Sequence, residues 1–200
     1  MDVSVPLSDL LPALHATSFG SLPFWTEAEL YAYADEGLKR LARQAQAFPV
    51  TGSVSVTAGT RVYTLPSRTV SVAGVAFNSA ELKPAGAAHL EARSATWESD
   101  SGTPSHYTLD LVGLKQVALW PVPDAGGTLN VVVQEYPAPV TSSSPTVTAP
   151  GFVEDWIYFT ALADARRKEG EGQMQDIAEF ADAMAGLLLS AAQAYYGEAQ

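Results

Sequence analysis

The chain has 200 residues, a net charge of −11 and no cysteine. A chain of that length suits one domain, or one with an appendage, and buries roughly 70% of its unfolded surface without covalent staples. The missing cysteine excludes disulfides, thiolate metal sites and cysteine nucleophiles, and fits assembly in a reducing compartment.

No stretch reaches the ~18 apolar residues that span a bilayer, so no membrane partner is expected. The start, Met1 to Leu14, has no basic residue and carries Pro6, Ser8, Asp9 and Pro12 inside its apolar run, so it does not read as a secretory signal. The chain is read as intact, soluble and cytosolic when made. Its acid is concentrated late: net −3 over residues 1–50, −2 over 51–150 and −6 over 151–200. Free nucleic-acid binding needs clustered cations to neutralise phosphates. Only Arg166, Arg167 and Lys168 cluster, at the end of a helical stretch where basic residues favour the helix dipole.

Leu7 to His15 forms a short first helix by pattern, and Gly20 to Phe24 breaks it. Thr26 and Glu29 then make a capping box, each satisfying free backbone N–H groups at a helix start. In the helix that follows, Leu30, Ala34, Leu38, Leu41, Ala45 and Phe48 recur at steps of three or four on one face, and Pro49 ends it. The period then changes. Val54 and Val56 on one side of Ala58, Gly59 and Thr60, and Val62, Tyr63 and Leu65 on the other, read as a hairpin. Thr69 to Phe77 is a strand whose alternation shifts at Gly74, the mark of a bulge. Ala87 to Arg93 gives one or two helical turns. Strands follow at Tyr107 to Leu111, Gln116 to Trp120 and Leu129 to Tyr136.

Residues 137–151 are rich in Pro, Ser, Thr and Val and form a linker or extended arm, not a helix. Phe152 to Lys168 is a helix apolar on almost every side between Trp156 and Ala163, hence buried on several faces. Gly170 and Gly172 break it. The last helix repeats in heptads through Met174, Ile177, Ala181, Met184, Leu188, Ala191 and Tyr195, a seam for helix packing. A second apolar line through Phe180, Leu187 and Ala194 asks for another partner.

The predicted fold is α+β: a central antiparallel β-sandwich or barrel-like domain with N-terminal helices and a C-terminal helical hairpin. The expected division is 1–50 for N-terminal helices packing with the C-terminal ones, 51–137 for the β domain, 138–151 for the arm and 152–196 for the helical hairpin.

Chemistry is harder to find. His15, His89 and His106 are far apart in sequence and have no ligand spacing, so each reads as a surface or structural residue. Glu98 to Gly102 resembles a calcium loop but lacks the later bidentate Glu. Metalloprotease, nucleophile-elbow and phosphate-loop motifs are absent from the sequence. No cofactor, metal or catalytic residue is expected. Trp25, Trp97, Trp120 and Trp156 fit core or interface better than a sugar cleft. Surface for protein partners remains, since tyrosine and tryptophan are enriched there.

The order of short segments carries a resemblance: WTEAEL at 25–30 opening a helix, YTLP at 63–66, LKP at 82–84, GTP at 102–104 with Tyr107, LWPVP at 119–123, Leu129 to Pro137, then a helix entered after Pro150. Over most of residues 7–196 the chain resembles the head-to-tail adaptor proteins of tailed bacteriophages, including tail tubular and connector adaptors. The resemblance implies a structural, non-enzymatic virion protein of the neck or tail, made in the host cytoplasm. It implies a homo-oligomeric ring of twelve copies under the portal protein, meeting a tail or nozzle protein and extending the DNA channel. DNA would pass without specific binding, as an acidic wall repels the duplex. Trp156, Tyr158, Phe159 and Leu162, with Leu187, Tyr195 and Tyr196, become the expected contacts to neighbouring copies or the portal. The alternatives are a carbohydrate- or receptor-binding β-sandwich of a tail with helical oligomerisation segments, and an enzyme whose carboxylates meet only in the fold.

Overall fold

A computed structural model describes residues 2–6, 25–109, 113–140, 146–168 and 174–197. The expected first helix at 7–15 lies outside these residues. The chain divides into two compact units, one made of residues 1–48 and 136–200 and the other of residues 49–135.

In the first unit, strand β1 (Asp2–Pro6) pairs antiparallel with β12 (Thr146–Pro150), Asp2 opposite Pro150 and Pro6 opposite Thr146. Helix α1 (Glu27–Gln44) starts at the capping box: Thr26 Oγ1 accepts from the Glu29 N–H at 3.3 Å, and the Glu29 carboxylate accepts from the Thr26 N–H at 2.9 Å. Its predicted face is the buried one: Leu30, Ala34, Leu38, Leu41 and Ala45 all lie in the core. Helices α3 (Phe152–Arg167) and α4 (Gln175–Gly197) form the C-terminal hairpin, and α3 packs against both α1 and α4.

The α1–α3 crossing is tight at Gly37. A methyl group there would stand 2.4 Å from Thr160 Oγ1, and the Gly37 carbonyl accepts from the Trp156 indole at 2.9 Å. Any side chain larger than hydrogen would force Thr160 or the helices themselves to shift, and a packed interior has little slack to absorb it. Beside this crossing, Val140 is buried and its N–H donates to Asp35 Oδ1 at 3.0 Å, tying the segment after the β unit to α1.

The second unit holds two four-stranded sheets. One is ordered β2 (Pro49–Val56), β11 (Gly127–Glu135), β4 (Thr69–Phe77), β5 (Ala80–Glu81); the other is β3 (Val62–Thr64), β9 (Gln116–Trp120), β8 (His106–Leu109), β6 (Lys83–Pro84). Val56, Val75, Phe77, Leu129 and Val131 from the first sheet and Tyr63, Tyr107, Val117 and Leu119 from the second share one core. That is a sandwich: alternating side chains bring the apolar faces of both sheets together. The first sheet is antiparallel throughout, the second is mixed because β6 lies parallel to β8, and β7 (Ser101–Gly102) and β10 (Val122–Pro123) form a separate parallel pair. A short helix α2 (Ala87–Arg93) follows β6, anchored by the buried Leu90.

Two sequence expectations change here. The turn at 58–60 is real, with Gly59 at φ +76° and the Tyr63 hydroxyl donating to the Thr60 carbonyl at 2.8 Å. It is not a hairpin, however: β2 and β3 belong to different sheets, and the turn carries the chain from one layer to the other. The bulge in β4 falls one residue before Gly74. Val132 pairs with Gly74 and Val133 with Val72, which leaves Ala73 unpaired.

Candidate assembly interface

Helix α3 is apolar on most sides, and the unit covers most of it. Val153, Trp156, Ile157, Ala161, Leu162, Ala163 and Ala165 are buried, while Tyr158 and Phe159 are half-buried. Helix α4 meets it along Ala178, Ala181, Ala185, Ala192 and Tyr196. The predicted heptad seam is met only in part: Ala181 is buried in the core, and Ile177 and Leu188 pack against it from its edge. Ile177, Met184 and Leu188 are only half-buried, and Ala191 and Tyr195 are exposed. Where two apolar lines run side by side on one helix, the one with alanines admits the closer axis, and packing selects it.

The other line is left outside. Phe180 is 60% exposed, Leu187 67% and Tyr195 45%, and Ala183, Gly186, Ser190, Ala191 and Ala194 are also exposed. From Ala183 to Gly197 the helix carries no Asp, Glu, Lys or Arg. A surface helix of a monomer ordinarily puts charge on its outer face. Aromatic rings bound the stripe: Phe159 and Phe180 meet edge to face at 6.3 Å between centroids, and Phe152 meets Tyr195 and Tyr196 at 5.8 Å and 6.5 Å. Of the predicted contact residues, Leu187 and Tyr195 are therefore open, Tyr158 and Phe159 half-open, and Trp156, Leu162 and Tyr196 covered within the chain. Tyr196 reaches the core although it lies near the chain's end, because it closes over Phe152 at the start of α3.

The basic cluster is committed inside the unit. The Arg166 guanidinium is only 2% exposed and sits 4.7 Å from the centre of the Trp25 ring, where burial lowers its pKa from the ordinary value. The Trp25 indole donates to the Ala165 carbonyl at 3.0 Å. Lys168 pairs with Glu29 at 2.5 Å, Arg167 with Asp182, and Arg40 with Asp164. The Lys168–Glu29 and Arg40–Asp164 pairs lock α1 to the hairpin across more than 120 residues of sequence, a tie with no local signal in the sequence. Lys168 and Thr26 together hold the Glu29 carboxyl at about 2, below its ordinary 4.5.

Among the described residues, the predicted candidates do not come together as a reaction centre. Trp25, Trp97 and Trp156 are buried and Trp120 is half-buried, so the tryptophans do not line a sugar cleft. Among the described residues no group of three His, Cys, Asp or Glu is placed to hold a metal. Asp100 of the calcium-like stretch accepts instead from the Thr96 hydroxyl at 2.8 Å, and hydrogen bonds from Ser94 and Thr96 hold its carboxyl below the ordinary value. A shallow hollow of about 280 Å³ is lined by Pro84, Ala85, Gly86, Tyr107 and Leu109. Among the described residues that line it, the titratable one is Tyr107, whose pKa burial pushes up. No described helix is long and apolar enough to cross a membrane. The structure does bring two of the three histidines together, His89 and His106, at 6.3 Å between ring centres; their separation in sequence hid this. His15 lies outside the described residues.

A search of curated proteins found no match to the chain. A family model described as the SU10 adaptor protein matches residues 6–200. With nearly the whole chain covered, the chain belongs to the SU10 adaptor protein family and is a structural head-to-tail adaptor of the phage virion.

Proposed function

We propose that copies of this chain close into a ring, twelvefold by the family resemblance, between the portal protein and a tail or nozzle protein, with DNA passing through its channel. The observation that carries the reading is the uncharged outer face of α4. Leaving Phe180, Leu187 and Tyr195 in water wastes apolar area that a second surface would bury at about 25 cal/mol per Å². Contacts that join one surface of a copy to a different surface of the next generate rings when the rotation closes. Leu187 and Tyr195 are the direct contacts in this reading, with Tyr158 and Phe159 at the margin. Trp156, Leu162 and Tyr196 hold the stripe in place from behind.

The channel wall follows from charge. A net charge of −11, with all but one of the eleven Lys and Arg side chains engaged inside the chain, leaves little to grip phosphate. A duplex moving through such a ring is repelled from the wall and slides. The reading is tested by native mass measurement of the purified chain, alone and with purified portal rings. Ring-sized species that attach to the portal are expected; a strict monomer that ignores portal rings overturns the proposal.

A further inference from the structure

Seven of the eleven Lys and Arg side chains form ion pairs with carboxylates of the same chain: Lys39, Arg40, Arg43, Arg61, Arg68, Arg167 and Lys168. Lys115 donates to the Ser67 carbonyl, and Arg166 lies buried on Trp25. Lys83 and Arg93 are the two that remain. Both are exposed, and neither pairs with a carboxylate among the described residues. They are not scattered. Lys83 on β6 lies opposite His106 of β8 in the ladder, and Arg93 reaches His106 from the end of α2.

Arg93 is also held in place. Its guanidinium lies 5.7 Å from the centre of the Trp120 ring, and Nη1 donates to His106 Nε2 at 3.1 Å. A guanidinium can only donate, so Nε2 accepts and the imidazole is neutral, with Nδ1–H donating to the Ser105 hydroxyl at 2.8 Å. Its pKa is lowered, through burial and then the charge of Arg93, His89 and Lys83 around it. An arginine fixed by a ring and an imidazole, with its remaining donors unused, has already lost the side-chain freedom that a carboxylate partner would otherwise have to remove.

The acid face of α4 has the opposite character. Asp176 and Glu179 are exposed, lie three residues apart on one side of the helix and pair with no described cation; Glu179 accepts only from Gln175, at 3.1 Å. They adjoin Phe180 at the start of the uncharged stripe. We infer that the basic corner formed by Lys83 and Arg93 of one copy docks on the Asp176 and Glu179 face of the next copy, and so fixes the direction and register of the ring. The inference rests on the ring reading above. A duplex is the poorer occupant, since two cations on a chain of this charge neutralise too few phosphates to hold it. Complementary charge across a protein interface, in contrast, selects partner and register.

The test is native mass spectrometry of four forms at one concentration and low salt. Wild type forms rings. Lys83→Glu/Arg93→Glu lowers the ring fraction by about tenfold or more. Asp176→Arg/Glu179→Arg does the same, and it is independent of any effect on α2 folding. The combined quadruple variant, which has the wild-type net charge, restores rings. Undiminished rings in either double variant, or no recovery in the quadruple variant, overturn the inference while leaving the ring reading intact. Absence of rings in the wild type overturns both. Anisotropy of a labelled duplex completes the set: retention by wild type that is lost in Lys83→Glu/Arg93→Glu, with rings unchanged, assigns the corner to phosphate and overturns the docking.

Discussion

In the β unit the residues run consecutively from 49 to 135, and every strand finds its partners within that span. In the helical unit, segments more than 100 residues apart meet: β1 with β12, and α1 with α3. The difference shows in how charge is used. The six cations of the helical unit are all tied within it, several as long-range clamps, and it leaves in water an apolar stripe of α4 beside the exposed Asp176 and Glu179. The β unit buries its apolar strands between two sheets and leaves Lys83 and Arg93 without a carboxylate partner among the described residues. In the proposed ring, one unit offers area and the other direction, the two things a ring contact requires.

The largest effect is expected where the long-range clamp is cut. Trp25→Ala removes a buried ring that carries the Ala165 hydrogen bond and the Arg166 stack, and should cost about 3–5 kcal/mol in denaturant melts. The loss should appear first as faster amide exchange in α1 and α3. Leu129→Ala, in the shared core of the sandwich, should cost about 2–5 kcal/mol by the same measurement, with exchange quickening in β11 and its neighbours. Gly37→Ala gains about 1 kcal/mol of helix propensity. It should nonetheless lose about 1–3 kcal/mol net, as the added methyl meets Thr160. A Gly37→Ala variant at least as stable as wild type would mean that the α1–α3 crossing is looser than described.

Leu187→Ala should change monomer stability by less than about 0.5 kcal/mol, because the side chain is exposed, while reducing assembly. That separation distinguishes a contact residue from a core residue. The smallest effect concerns acid. The Glu29 carboxyl is lowered in the folded chain from 4.5 to about 2, so its contribution is complete above pH 4.5 and is lost as pH falls through 2. Carboxyl NMR titration should show that low midpoint, and it should rise toward 4.5 in Lys168→Ala.

Local features were legible in the sequence. The capping box at Thr26 and Glu29 and the apolar face of α1 follow from rules that act within a few residues, and both stand in the structure. The β-rich centre and the helical hairpin were legible from a change of hydrophobic period. Pairings were less so. Ala58, Gly59 and Thr60 specify a turn, but turn chemistry does not say whether the next strand pairs back or crosses to a second sheet. The α4 seam misled because two apolar lines satisfy the same spacing, and only the closeness of α3 favours the alanines. The basic cluster was assigned to the helix dipole, which holds as far as it goes. Its partners Trp25, Glu29 and Asp182 could not be read without the fold. The Arg93, His106 and Trp120 corner was invisible for the same reason.

The absence of cysteine permits a direct measurement on the outer face of α4. A single cysteine introduced by Leu187→Cys can be labelled with an environment-sensitive fluorophore and followed from the dilute chain to the assembled ring. A blue-shifted emission and protection from aqueous quenchers on assembly are expected, because a neighbouring copy covers the stripe. Equal emission and equal quenching in the dilute chain and in the ring would contradict the assignment of this face to assembly.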